Sequence, residues 1–540
     1  MDAALDRRVR DLHRRLAEAD TQRQAGSWSD ALAGYLALQA DLPAFPPLHH
    51  HIALCHFALG ALDLALESAI RAASLDPALW QARLVQAKAL RSLGRAEEAL
   101  AALDEVREKN VEPVRAERAS LLLHEFGDAA GAAATAAGPV SLEGIAELQG
   151  LVALLYDPGR KTAEEINAAF LEYSQRMFPA RFRAHAEAAA SAPRARPRVG
   201  VVSPQFFASP VYFFSIGALR LMSQEVDLVF FHRGTREDWA TKAFKEIARE
   251  WHDVSSLDAE RLEPAMRTHT LDVLIDLGGW MDPQCLRALA GKPARRMFKW
   301  VGGQSLSTGL RSFDGFIGDL HQSPRASQVH YAEPLALIPN GYVTYTPPAY
   351  MPEAGNADGP GVCGVISNPL KLSAGFLAML SDLIHAPALE GRLTELRLID
   401  ARYKHAALRN RMASVLGVGN SAVKVKFFSP ENHLAYLREV GRLGVVIDTF
   451  PYSGGLTTME ALWMGVPSLT RKGELFCERH TYAHCRYAGM KEDAFLLGGA
   501  DSLARALART GTSRRRLLPE GSPRLDHGKL AHSLLQLVSS

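Results

Sequence analysis

A chain of 540 residues is too long for one hydrophobic core and predicts two to four domains. Apolar residues make up 47% and charged residues 22%, ordinary values for a globular protein, and a net charge of +2 gives no ground for a nucleic-acid partner. No run reaches the roughly 20 apolar residues of a membrane helix, and the start, Met1-Asp2-Ala3-Ala4-Leu5-Asp6-Arg7-Arg8, has no apolar signal core. Five cysteines at irregular positions (55, 285, 363, 477 and 485) argue against a disulfide framework and for a reducing compartment. A cytoplasmic protein with no membrane association is expected.

The first 150 residues repeat. Gly26, Gly60 and Gly94 are spaced by 34, as are Ala19, Ala53 and Ala87, and Ala31, Ala65 and Ala99; Pro43 and Pro77 keep the same step. Small residues where two helices approach, a glycine at the turn and a proline at the helix boundary describe a helical hairpin that buries its apolar face only by stacking on the next. This pattern resembles the TPR repeat, whose stacks bind protein or peptide partners. Residues 129 to 138, AAGAAATAAG, fit a degenerate or capping repeat. Trp28, Tyr35 and Trp80 would fill the core between helices or line a binding surface; the core is the expected place.

Residues 151 to 197 read as a helical linker ending in the Ala/Pro/Arg segment 186 to 198, AEAAASAPRARPR. From 198 to 350, short apolar strands at Val199–Ser203, Val226–Phe231 and Leu271–Leu277 alternate with helical stretches. A second series, 351 to 540, offers Val362–Ile366, Leu396–Ile399, Val423–Phe428, Val445–Asp448 and Pro467–Thr470, after a Pro/Gly-rich connection at 342 to 361. Strands alternating with amphipathic helices predict parallel sheets covered on both faces. Two such lobes suggest the GT-B architecture, with substrate at the carboxyl ends of the strands. The expected fold is therefore an α-helical TPR solenoid followed by an α/β GT-B fold of two Rossmann-like lobes.

The richest motif is DTFPYSGGLTTMEALWMGVP, Asp448 to Pro467. A strand ends at Asp448, a glycine loop follows, and a helix begins near Thr457. Backbone N–H groups and two hydroxyls at a helix N-terminus make an anion site suited to phosphate. Gly454 and Gly455 let the backbone approach a ligand, and Glu460, one turn on, is placed to accept hydrogen bonds from ribose hydroxyls.

As a whole string this motif resembles the donor-binding segment of the SPINDLY/O-GlcNAc-transferase family (GT41), DTFPYNGGTTT-x-DALWMGVP. Lys299-Trp300-Val301-Gly302-Gly303, Asp314 to Asp319, Tyr331-Ala332-Glu333-Pro334 and Ile338-Pro339 are similar to other family segments, and so are Ser367-Asn368-Pro369-Leu370-Lys371 and Ser429-Pro430-Glu431-Asn432-His433. The resemblance covers about residues 196 to 490. It implies a metal-independent protein O-glycosyltransferase. Lys371 would neutralise the donor phosphate and stabilise the leaving group. Thr457, Thr458 and the Gly455 N–H would hold the phosphate beside Gly454, and Asn368 would contribute to the donor site. His433 would contact the base, and Glu460 the ribose.

The chain also departs from the family. Ser209, in Gln205-Phe206-Phe207-Ala208-Ser209-Pro210-Val211, stands where the family has a histidine; WLGYPG becomes WVGGQS; Leu456 replaces a threonine and Glu460 an aspartate. The first-lobe changes among these favour a donor other than UDP-GlcNAc and a resemblance to the divergent FlmG-like flagellin glycosyltransferases. A CMP-activated nonulosonic acid of the pseudaminic acid type would be the donor and flagellin, held by the TPR region, the acceptor. The alternatives are a UDP-GlcNAc-dependent protein O-GlcNAc transferase and a non-catalytic TPR adaptor that only binds nucleotide.

Other signals are weaker. Cys477, His480, His484 and Cys485 match no common zinc spacing, and no metal is expected there. His49-His50-His51 and Arg514 to Arg516 read as solvated faces, the latter before a final helix at 528 to 538. Gly278-Gly279 would serve a turn or a close approach to ligand. Asp319 and His232, at ends of first-lobe strands, are bare candidates for a general base.

Overall fold

The computed structural model describes residues 3–108, 110–139, 144–159, 161–179, 196–353, 355–509 and 515–539. The chain divides into two compact units, Met1–Ala153 and Leu154–Ser540.

The first unit is built of helical hairpins: α1 (Ala3–Gln24) with α2 (Trp28–Leu38), α3 (Pro46–Ala58) with α4 (Leu62–Leu75), α5 (Trp80–Ser92) with α6 (Ala96–Asp104), and α7 (Glu112–His124) with α8 (Ala129–Ala136), followed by α9 (Ile145–Tyr156). Gly26, Gly60 and Gly94 end the first helix of the first three hairpins at φ of +81°, +77° and +75°. The next N–H in each case reaches five residues back, Ser27 to Gln22, Ala61 to His56 and Arg95 to Leu90, which closes the helix end. Gly127, at φ +62°, ends the first helix of a fourth hairpin, with the Asp128 N–H reaching six residues back to Leu122, so the Ala-rich stretch at 129 to 138 supplies the second helix of a further repeat. The six alanines of the repeat columns are buried. A Cβ on Gly34 would lie 3.0 Å from that of Ala19, which shows why only small residues fit between α1 and α2.

Tyr35 is fully buried, and Trp28 and Trp80 pack against the same cores, so the aromatics are structural. The three histidines correct an expectation: His49 is buried with Nε2 2.9 Å from the Pro43 carbonyl, and His50 and His51 are half-buried.

The second unit opens with α10 (Ala163–Met177); most of the expected linker at 186 to 198 falls outside the described residues. Seven strands follow: β1 (Arg198–Ser203), β2 (Asp227–His232), β3 (Glu250–Asp253), β4 (Val273–Asp276), β5 (Arg296–Lys299), β6 (Gly315–Gly318) and β7 (Leu335–Leu337). They form one sheet in the order β3-β2-β1-β4-β5-β6-β7. Then come β8 (Val362–Val365), β9 (Glu395–Ile399), β10 (Lys424–Phe428), β11 (Val445–Ile447) and β12 (Ser468–Leu469), in the order β10-β9-β8-β11-β12. Every pairing among the described strands is parallel.

The second sheet shows why its strands read as continuous apolar runs. Cys363, Val365, Leu396, Leu398, Val445 and Ile447 face one core, while Val362, Ile399 and Val446 face another. All eight expected strands form, within a residue or two at their ends. β6 is the strand whose end was expected at Asp319; β3, β5 and β7 are outside the expected strands, being short, and β3 reads Glu-Trp-His-Asp.

The final helix, His527–Ser539, does not stay with the second lobe. It packs on α11 (Pro210–Met222), and Leu530, Ala531, Leu534 and Val538 complete the first lobe's core.

Candidate functional site

In the second sheet the strand order reverses between β8 and β11. Chains leaving the carboxyl ends of those two strands diverge, and the crevice between them is where open α/β sheets bind ligands. The residues leaving β8 are Ile366 to Lys371; those leaving β11 are Asp448 to Leu456. The two segments singled out in the sequence therefore meet there.

Asn368 accepts the Leu370 N–H at 3.0 Å and so caps the single 3₁₀ turn Pro369–Lys371. Its oxygen is spent on shaping the turn that presents Lys371. The Lys371 ammonium donates to the Ser453 carbonyl at 2.8 Å and lies 4.5 Å from the Tyr452 ring centroid. Burial pushes Lys371 down to about 8, against the opposing pull of Asp448. Bringing an anion beside it would restore its ordinary affinity for a proton.

The loop on the other side is held from within. The Asp448 carboxylate accepts the Gly454 N–H and the Thr470 hydroxyl, each at 2.7 Å; burial raises its pKa. A Cβ on Gly454 would meet Thr458 Oγ1 at 2.6 Å, Asp448 Oδ1 at 2.9 Å and Thr457 Oγ1 at 3.0 Å, so this position admits only glycine. Gly455 differs: a Cβ there would meet nothing nearer than Phe214 of α11, at 3.9 Å. Its bareness leaves open the side of the loop that faces the first lobe.

The helix Leu456–Trp463 starts at Gly455, and its first internal bond runs from Met459 N–H to the Gly455 carbonyl. The N–H groups of Leu456, Thr457 and Thr458 thus precede any intrahelical acceptor. The Thr458 hydroxyl turns inward, 3.1 Å from the Gly454 carbonyl and 2.7 Å from Thr481 Oγ1. What Thr458 offers an anion is its backbone N–H, while Thr457 remains half-buried at the loop's rim.

Glu460 is buried, and its Oε1 lies 2.7 Å from His433 Nε2. Burial raises the Glu460 pKa, opposed by His433. The other ring nitrogen, Nδ1, is 2.9 Å from the Tyr350 hydroxyl. Tyr436 stacks 6.0 Å from the His433 ring, and Phe213 of α11 lies 5.7 Å away. His433 thus sits in an aromatic surround drawn from both lobes.

Several residues escaped the sequence reading. Tyr350 lies in the Pro/Gly-rich connection, where no periodicity marks it. Tyr156 stacks on Tyr452 at 4.8 Å and 9°, and Asp157 caps the helix Ala374–Ile384 through the Ala374 N–H at 3.0 Å; both precede the matched segments. Asp448 was legible within the motif, as a strand-end carboxylate followed by a glycine loop.

The first-lobe segments prove structural. Ser209 stands at the residue before α11 without a side-chain capping bond, and donates its hydroxyl back to the Gln205 carbonyl at 3.1 Å. Gly278 and Gly279 serve a loop-to-loop approach: Asp276 accepts both N–H groups, and a Cβ on Gly279 would lie 2.8 Å from the Gly303 carbonyl oxygen. Lys299 is fully buried beneath that approach and donates to the carbonyls of Asp276, Val301 and Gly302.

Asp319 is fully buried and accepts from His321, Gln322 and Tyr342 N–H groups and from Arg524. His232 is a core histidine packed near Phe206 and Trp251. Neither is exposed to a cleft. Cys477, His480, His484 and Cys485 do not converge: no three of them bring ligand atoms within 4.8 Å of one another.

No protein-family model matches the chain. It is 25% identical over 292 residues to a protein named probable UDP-N-acetylglucosamine–peptide N-acetylglucosaminyltransferase SPINDLY of Solanum lycopersicum, covering 51% of this chain and 30% of the relative. A protein of the same name from Hordeum vulgare is 27% identical over 293 residues, with the same shares. The chain thus spans about a third of the length of these relatives. Among solved structures, a lysine-to-methionine mutant of Thermobaculum terrenum O-GlcNAc transferase matches with a TM-score of 0.67 at 22% identity, covering 97% of this chain and 96% of the other. The fold is therefore a helical repeat region followed by two GT-B lobes, and the homologues are SPINDLY/O-GlcNAc-transferase-like, as the sequence resemblance implied. No helix among the described residues is long and apolar enough to cross a membrane.

Proposed function

We propose that this chain is a cytoplasmic, metal-independent protein O-glycosyltransferase that moves a sugar from a nucleotide donor to serine or threonine hydroxyls. The observation that carries this reading is the pairing of Lys371 with the open N-terminus of the helix Leu456–Trp463 at the switch point of the second sheet. A lysine and three backbone N–H groups can together take up the negative charge that develops on a departing phosphate. The acceptor hydroxyl would attack the anomeric carbon as the nucleotide leaves. Glu460 and His433 would hold ribose and base, with Tyr350 fixing the imidazole. Residues 1–150 would hold the acceptor protein, 151–197 would link them to the lobes, and 198–350 and 351–540 would form the cleft, with the last helix returned to the first lobe.

For the donor we propose a CMP-activated nonulosonic acid, and for the acceptor flagellin. The support is Ser209, which stands before α11 where the related family carries a histidine. The names of the relatives favour the second reading, UDP-GlcNAc. Calorimetric titration with CMP and UDP, without added metal, separates the two. Tight CMP and weak UDP binding supports the first, and the reverse order supports the second. Binding of neither would overturn the enzyme reading.

A further inference from the structure

On the β3 edge of the first-lobe sheet lies a cluster that the transfer reaction does not use. β3 is an edge strand paired only with β2. Alternation along it sends Trp251 into the core, where it stacks on Phe230 at 5.7 Å, and puts Glu250 and His252 together on the opposite face. The turn after the helix Ala259–Arg267 brings in His269, followed by Thr270 at φ +47°.

Three ligand-type atoms converge. Glu250 Oε2 lies 3.2 Å from His252 Nε2 and 3.3 Å from His269 Nδ1, and all three atoms fall within 4.8 Å of one another. Ligands on a tetrahedral ion with bonds near 2.0 Å stand about 3.3 Å apart, so both nitrogen–oxygen separations already have the spacing of a common coordination sphere. The rings are held in place: Phe231 stacks on His252 at 5.6 Å and meets His269 edge-on at 5.3 Å. Arg198 fixes the carboxylate through its other oxygen, at 2.8 Å, and donates to the His269 carbonyl at 3.2 Å.

We propose that Glu250, His252 and His269 form a binding site for one divalent cation of the zinc class, with water as the fourth ligand, clipping the edge strand β3 to the turn at His269. Two imidazoles and a carboxylate are a donor set that such ions take readily. The metal stabilises the lobe and takes no part in sugar transfer.

The test uses the full chain, stripped with a chelator and titrated with zinc chloride against a chromophoric competitor. One zinc per chain is expected. His252→Gln and His269→Gln should each weaken binding about tenfold or more, and zinc should raise Tm in the parent but not in these variants. Cobalt(II) gives a second readout that needs no variant: the intense visible bands of a four-coordinate nitrogen/oxygen site are expected. No binding at micromolar zinc, unchanged affinity in both variants, a pale six-coordinate cobalt spectrum, or a thiolate charge-transfer band would each overturn the proposal.

Discussion

His433 Nε2 and Glu460 Oε1 lie 2.7 Å apart, joining the first residue of one helix to the middle of another. With Glu460 ionised, the Nε2–H donates to it and Nδ1 accepts the Tyr350 hydroxyl proton. The pair sets the imidazole's tautomer and plane before any nucleotide arrives. Glu460→Ala should therefore weaken nucleotide binding about tenfold, or about 1.4 kcal/mol, through lost ribose contact and a loosened His433. Tyr350→Phe should weaken it less. Equal affinity of parent and Glu460→Ala in calorimetry would remove both residues from the site.

Lys371 predicts a pH dependence. Its pKa is lowered to about 8, so the ammonium is charged below that value and loses its proton as pH rises through it. Affinity for a nucleotide should hold below pH 8 and fall above it. Lys371→Met should flatten that profile and cut turnover about 10²–10³-fold, the range for removing one transition-state donor, while binding of the acceptor protein is kept. Turnover equal to the parent would sink the phosphate role.

The two loop glycines should separate in their effects. Gly454→Ala forces a Cβ to 2.6–3.0 Å from three oxygens and should destabilise the fold by about 1–3 kcal/mol, read as a lower denaturation midpoint. Gly455→Ala meets no such contact and should leave the midpoint unchanged while weakening nucleotide binding. Identical behaviour of the two variants would contradict the assignment of Gly455 to the ligand side.

Arg524 and Asp319 form a fully buried ion pair 3.4 Å apart, tying the segment before the final helix to the first lobe. Arg524 also donates to the Val343 carbonyl at 3.1 Å and lies 4.4 Å from the Tyr487 ring centroid. Arg524→Ala leaves a buried carboxylate unpaired and should cost about 3–5 kcal/mol in chemical denaturation. A loss below 1 kcal/mol would mean that water reaches Asp319.

Much of this was legible from residue order. The spacing of Gly26, Gly60 and Gly94 located the hairpin turns because a left-handed helix end selects glycine locally. The apolar runs at Val362 and Val445 located buried parallel strands because both sheet faces are covered. β3 was not legible: an edge strand with one solvated face carries Glu250, His252 and Asp253 and follows no apolar run.

The sequence by itself determined the repeat period, eight of the strands, and the segments that carry Lys371, Asp448 and the glycine loop, all of which rest on local periodicity and short-range geometry. Tertiary structure alone decided that Asn368 shapes a turn, that Thr458 faces inward, that Tyr350 and Glu460 bracket His433, that Asp319 answers Arg524, and that the last helix returns to the first lobe. Each of those depends on which distant segment the chain packs against a side chain, and that is settled by burial and hydrogen-bond satisfaction across the whole core.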